Sequence, residues 1–364
     1  MKRQLIVIAL ALMAIPLQIC SAAAAPAWQE EWGRVLEAAK KEGRVSVIGP
    51  PGADRRDALS IDFEKKYGIA VDYLADSGAG IMPRLGAERK ADRYLWDVVV
   101  TGASTTLINL IPAQVLDRLD PNFIHPDLKD MKLWRNGALE FLDPGRQLLV
   151  MTLFQRGTLF VNSTLVNAKE FKSYKDLLNP KWKGKILADD PRKSGPGRGT
   201  FTFFLFHPDL GAKFIRSLGS QRLTLLKDYA QEVDMVGRGN YPIGLGFSDS
   251  LAEERAKQGV PIEIVDIRQL NEGSDTSPAS GALSIFNHAP HPNAAKVYIN
   301  WLLSKEGQTI YARATGYVST RLDVPTDHTE PWRVPQPGAI KTYTKAAMDV
   351  KDDLVLLLQE VFGK

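Results

Sequence analysis

Four helical patterns and three short β-rich runs alternate between Trp28 and Ala113, and this alternation restricts the folds open to the chain. In "WQEEWGRVLEAAKKEGRVSVIG", Trp32, Val35, Leu36 and Ala39 recur at the spacing of one helix face, predicting a helix over 28–42. Gly43 suits the left-handed position that ends such a helix, and a strand is expected over 44–48. The same pattern predicts helix 56–67 closed by Gly68, strand 69–74, helix 81–90, strand 96–100 and helix 105–113. Strands alternating with helices imply an α/β fold whose parallel sheet is covered on both faces. Each strand ends in a loop of Gly, Ser, Thr or Asp, and open α/β sheets bind ligands at the carboxyl ends of their strands.

The first residues, "MKRQLIVIALALMAIPLQICSAAAA", have the basic start, apolar run and small-residue end of a secretory signal peptide. Residues 1–25 are therefore expected to be removed, with cleavage within Ala22 to Ala25. The single cysteine, Cys20, lies in this segment behind Ile19, where a lipoprotein signal needs a small residue. The remaining chain then forms no disulfide and depends on its apolar cores. At ~340 residues it exceeds what one core usually serves, so two lobes are expected. Without Lys2 and Arg3 it carries 44 basic against 42 acidic side chains, with no basic block interleaved with aromatics. Nucleic acid is not an expected partner.

From Val161 the alternation restarts. A strand over 186–188 runs into "DDPRKSGPGRGT", and another over 241–247 runs into "SDS". Later, Ala294, Val297, Tyr298, Trp301 and Leu302 share a helix face, a proline-rich tail covers 323–337, and a last helix is expected over 340–362.

"GFSDS" invites comparison with a nucleophile elbow, but Ser250 stands where that turn needs glycine, and no histidine declares itself as the base. Ser250 and Glu253 instead fit a capping box. Asp249 is open to two readings, a ligand contact or a carboxylate favoured at a helix N-terminus. "KSGPGRGT" lacks the Gly-Lys-Ser/Thr ending of a P-loop, yet its backbone could form an anion nest with charge from Arg192, Lys193 or Arg198. His288 and His291 are three apart in a stretch broken by Pro290 and Pro292, against the i, i+4 spacing of a helical metal pair. The sequence holds no catalytic set, so no enzyme activity is expected.

Several segments carry a family resemblance. "APHPNAAKVYINWLLSKEGQTIYARATGYVSTRLDV" (289–324), "LLNPKWKGKI" (177–186), "WGRVLEAAKKEGRVSV" (32–47) and "RLGAERKADRYLWDVVVTG" (84–102) resemble extracellular solute-binding proteins that feed ABC importers. The branch is the ferric-ion-binding-protein-like one, with the type II periplasmic binding fold. The resemblance implies a periplasmic, monomeric, non-enzymatic receptor without cofactor, delivering a small solute to a permease in the inner membrane. It implies discontinuous lobes over 27–160 plus 279–315 and 161–278 plus 316–364, hinged to close on the solute.

Iron binders of that family hold Fe(III) with two adjacent tyrosines, helped by a histidine and a glutamate. Here the tyrosine positions align with Asp249 and Ser250, the glutamate with Gly102 and the histidine near Gly52, and no Tyr-Tyr occurs. The family's anion loop matches "RKSGPGRGT". The solute expected on this basis is a small organic anion, phosphorylated or carboxylated. Its site would draw on Pro51, Gly52, Ser77, Gly78, Ala79, Gly80, Thr101, Gly102, Ser194, Gly195, Ser248 and Asp249. The alternatives are a thiamine-like or polyamine cation paired to Asp249 and Asp76, ferric iron, or, in another class, a secreted serine hydrolase using Ser248.

Overall fold

The computed structural model describes residues 27–76, 80–193 and 195–363. The leader read from residues 1–25 lies outside them, as do Ser77, Gly78, Ala79 and Ser194. No helix among the described residues is long and apolar enough to cross a membrane.

The first sheet is built where the alternation places it, from strands Arg44–Gly49, Ala70–Ala75 and Val98–Thr101, with helices Ala27–Glu42 and Ile81–Lys90 beside them. Arg44–Gly49 pairs in parallel with both neighbours. Side chains of a strand point alternately to opposite faces. Val45, Val47, Val98 and Val100 accordingly meet Phe63, Tyr298 and Trp301 on one face, while Ile48 and Val99 meet Ile81, Leu85 and Phe286 on the other.

The sheet is nevertheless mixed, not parallel throughout. Ala282–Phe286 inserts antiparallel between Val98–Thr101 and Leu149–Val150. That strand returns from far along the chain, which no local pattern announces. Helix Pro292–Leu302 is buried on nearly every side because helix Ala27–Glu42 packs over it. Its Asn300 accepts hydrogen bonds from the backbone N–H groups of Ile124 and His125.

A second sheet, in the order Thr224–Leu226, Ile186–Asp189, Ile243–Leu245, Leu159–Asn162 and Ile262–Ile264, forms its own core with Tyr174, Phe201, Phe203, Phe204 and Leu358. Between the two lies a small sheet of Val318–Ser319, Thr152–Gln155, Asp275–Ser277 and Ile340–Lys341. Thr152–Gln155 and Asp275–Ser277 carry the chain from one core to the other.

Three expectations change at this level. The helix expected over 56–67 is two helices, Ala53–Ala58 and Ile61–Tyr67. They are divided where the Ser60 hydroxyl donates back to the Arg56 carbonyl. The last helix, expected over 340–362, begins instead with a strand. There Thr342 donates to Asp275 and Tyr343 to Glu140, and Thr344 caps a short helix Lys345–Asp349 before Lys351–Phe362. Residues 318–322, assigned to the second lobe from the sequence, hydrogen-bond to the first: Thr320 N–H to Met151 O and Leu322 N–H to Leu133 O.

Candidate functional site

From the first sheet, the turn after Gly49 passes through Pro51 to Gly52, whose φ of 118° lies in glycine's region, and then starts helix Ala53–Ala58. The Arg55 guanidinium donates back to Pro51 O at 3.2 Å, while its Nε is buried without a partner. No carboxylate pairs with Arg55 among the described residues. Gly80, at the start of helix Ile81–Lys90, donates its N–H to Asp76. Thr101 is buried in the sheet, and Gly102 lies so close to Ala279 O that a Cβ would touch it at 3.4 Å.

From the second sheet, the strand expected over 241–247 stops at Leu245, because Gly246 turns with φ 69°. Helix Asp249–Lys257 therefore starts with Ser248 as its N-cap residue. Ser250 is not the cap, since it already lies inside the helix. Glu253 does not reach back to Ser250 but accepts from Arg333 Nε at 2.9 Å. The Asp249 carboxylate accepts the N–H groups of Ser250 at 2.8 Å and Gly157 at 3.3 Å, and faces Arg333 at 3.6 Å. Its side chain is only 12% exposed. Burial opposes the charge on Arg333, but Asp249 and Glu253 together hold its pKa above the ordinary value.

The glycine-rich loop neutralises itself in a different way. Asp189, at the end of its strand, takes Lys193 Nζ at 2.7 Å and the Gly197 N–H at 2.7 Å. Burial works against Asp190, yet bidentate Arg192 keeps its carboxyl below the usual range. Each of the three alternating glycines answers a close approach. A Cβ on Gly195 would lie 2.5 Å from the Tyr229 hydroxyl; one on Gly197 would strike the Asp189 carbonyl, and one on Gly199 the Arg156 guanidinium. Arg156 leaves the crossover strand, donates to Pro196 O at 2.8 Å and faces buried Asp275 at 3.6 Å.

Of the three cations expected to serve the loop, Arg192 and Lys193 are thus occupied by acids. Arg198 donates to the carbonyls of Pro191 and Arg192 and forms no close ion pair among the described residues, though Asp190 attracts it at longer range. Burial lowers its pKa. Behind the loop, Glu232 is fully buried, and that burial, with Asp189 beside it, pushes its carboxyl up to about 8.

These loops meet at two pockets spanning both cores. One, of about 230 Å³, brings Arg55 against Asp249, Ser250, Tyr317 and Arg333. The other, of about 330 Å³, brings Ser104 against Gly195 and Arg198. Gly195 and Asp249 therefore line interlobe space, whereas Pro51, Gly52, Gly80, Thr101, Gly102 and Ser248 line neither pocket. His288 and His291 separate, His291 onto Asp97 at 2.9 Å and His288 against the Tyr94 ring. Among the described residues no three His, Cys, Asp or Glu side chains gather as metal ligands. Arg55, Arg156, Tyr317 and Arg333 were not singled out by the sequence; an arginine just past a crossover strand, as in "LFQR", was the one available signal.

Residues 58–341 match the family of bacterial extracellular solute-binding proteins. The chain belongs to that family. Its members are binding proteins rather than enzymes, the solute-binding components of ABC transporters. An uncharacterized protein of Haemophilus influenzae is 30% identical over 141 residues, covering 38% of this chain and 39% of that relative's length. The match thus spans well under half of the relative.

Among solved structures, Mannheimia haemolytica ferric iron-binding protein A in an open conformation aligns with TM-score 0.69 at 17% identity, over 88% of this chain and 98% of that one. Trichodesmium IdiA (FutA), in complex with iron and citrate, gives 0.66 at 18%, over 88% and 100%. Actinobacillus pleuropneumoniae AfuA, with fructose-6-phosphate bound, gives 0.59 at 18%, over 88% and 98%. At these identities the likeness establishes the fold, the type II periplasmic binding fold.

Proposed function

We propose that this family member captures a small organic anion, phosphorylated or carboxylated, between two lobes and hands it to a permease in the inner membrane. It acts in the periplasm as a monomer after its leader is removed. The lobes are the two cores, which hinge on the crossover strands as contacts to the solute form on both sides. One observation carries the anion reading: Arg55 and Arg198 open on interlobe pockets without acid partners, while Asp249 is covered by Arg333. An uncompensated guanidinium suits a carboxylate or phosphate, which it grips with fixed fork geometry. A cationic solute would have to displace Arg333 from Asp249.

Thermal-shift and calorimetric screening of the purified protein tests this reading. Organic phosphates and carboxylates should stabilise it, and Arg55→Ala and Arg198→Ala should each weaken binding by about tenfold or more. Stabilisation by spermidine, thiamine or ferric iron, with no response to anions, would overturn it.

A further inference from the structure

The pocket beside Arg198 has a second character. Ile108 of the first core, which lines the same pocket as Arg198, is 47% exposed. Met348 and Leu354 from the C-terminal helices close the same space. The Ile108 side chain lies at the edge of a half-open space spanning the two cores. At about 330 Å³ the space falls within the roughly 300–1,000 Å³ of small-molecule sites. Its polar edge is the N-terminal half of helix Pro196–Phe206, where Gly199 lets the Arg156 guanidinium approach.

We infer that this pocket is a compartment for an apolar or aromatic substituent of the solute, the anionic end lying toward Arg198 and the apolar body against Ile108, Met348 and Leu354. The inference rests on the anion reading above and narrows it from organic anions in general to amphiphilic ones. The charge argument fixes the orientation. Arg198 is the cation lining this space, and no described carboxylate shares it, so a ligand's negative end is favoured there and its apolar part is left for the opposite wall. Because Ile108 and Arg198 belong to different cores, a solute filling the pocket touches both and favours their approach.

The test compares inorganic phosphate, methyl phosphate, phenyl phosphate and neutral phenol as probes. Affinities are measured by calorimetry, and phenol contact by saturation-transfer NMR. Phenyl phosphate should bind about tenfold more tightly than methyl phosphate. Ile108→Asn, a change at an exposed position that leaves the fold intact, should remove that preference while methyl phosphate binding stays as it was. Thr202→Trp, filling the pocket from the other side, should do the same.

Equal binding of phenyl and methyl phosphate, with no phenol contact, overturns the apolar compartment and leaves the anion reading standing. Phenol contact that Thr202→Trp abolishes, with no phosphate binding at all, does the reverse.

Discussion

Two loops of the second core, residues 246–250 and 189–199, both carry carboxylates, Asp249 at an interlobe pocket and Asp189 and Asp190 buried, and they are neutralised by opposite means. Asp189 and Asp190 pair with Lys193 and Arg192, two to four residues away. Asp249 pairs with Arg333, which arrives from the proline-rich tail more than 80 positions further along the chain. The ion pairs of the first loop are local, while Arg192 also donates to the Phe362 and Gly363 carbonyls and Lys193 to Lys227 O. The second depends on a strap that also stacks Arg333 over Phe154 and hydrogen-bonds Glu253. The difference separates carboxylates paired within their own loop from one paired by a distant segment.

The largest test removes the strap's cation. Arg333→Met keeps the stem but leaves two shielded carboxylates facing one another's field, and breaking a buried pair in this way costs about 3–5 kcal/mol. Urea unfolding should show that loss, and adding Asp249→Asn should recover part of it. A loss below about 0.5 kcal/mol would place Arg333 among ordinary surface arginines and dissolve the contrast.

The next probes the glycine-rich loop. Gly197→Ala puts a methyl group into the Asp189 carbonyl, where backbone cannot yield as a flexible side chain would. We expect a stability loss of about 1–3 kcal/mol together with weaker anion binding. An unchanged melting temperature would mean that the loop shifts freely and is not held by its close approaches.

Smaller still is Asp249→Asn. The amide oxygen still accepts the Gly157 N–H, and Glu253 still holds Arg333, so stability should fall by only about 1 kcal/mol. Anion affinity should stay within about threefold, which is under 1 kcal/mol. Loss of anion binding altogether would make Asp249 a direct contact of the solute.

The same contrast explains what the sequence disclosed. Gly43 and Gly68 ended helices as read, and helix Ile81–Lys90 and the first strands were legible because their signals are local in period. The pairing within 189–193 is equally local. Nothing near Asp249 announces Arg333, just as nothing near Val98 announces the antiparallel strand Ala282–Phe286. Ser250 was misread as a cap because Ser248 and Ser250 are both competent hydroxyls; the choice falls to the left-handed turn at Gly246, a tertiary matter. The alternating glycines suggested an anion nest, while their nearest cause is packing against Tyr229, Asp189 and Arg156.

The last test is a pH dependence and comes from Glu232, which is buried beside Asp189. Its carboxyl in the folded protein titrates near 8, pushed up by burial and by Asp189, against an ordinary value of 4.5. The folded state therefore binds more protons than the unfolded one between those limits, and stability falls as pH rises through that window. The contribution is fully present below about pH 4.5, declines steadily toward pH 8 and is level above it. Glu232→Gln has no proton to lose, so its melting temperature should lack this component. The two proteins should match near pH 4.5, and Glu232→Gln should become the more stable by a growing margin as pH rises toward 8, with solute binding nearly unchanged. Melting curves of both proteins from pH 4.5 to 9 make the comparison. Parallel curves would mean that Glu232 is ionised beside Asp189, and the loop would then carry an unbalanced negative charge instead of a neutral one.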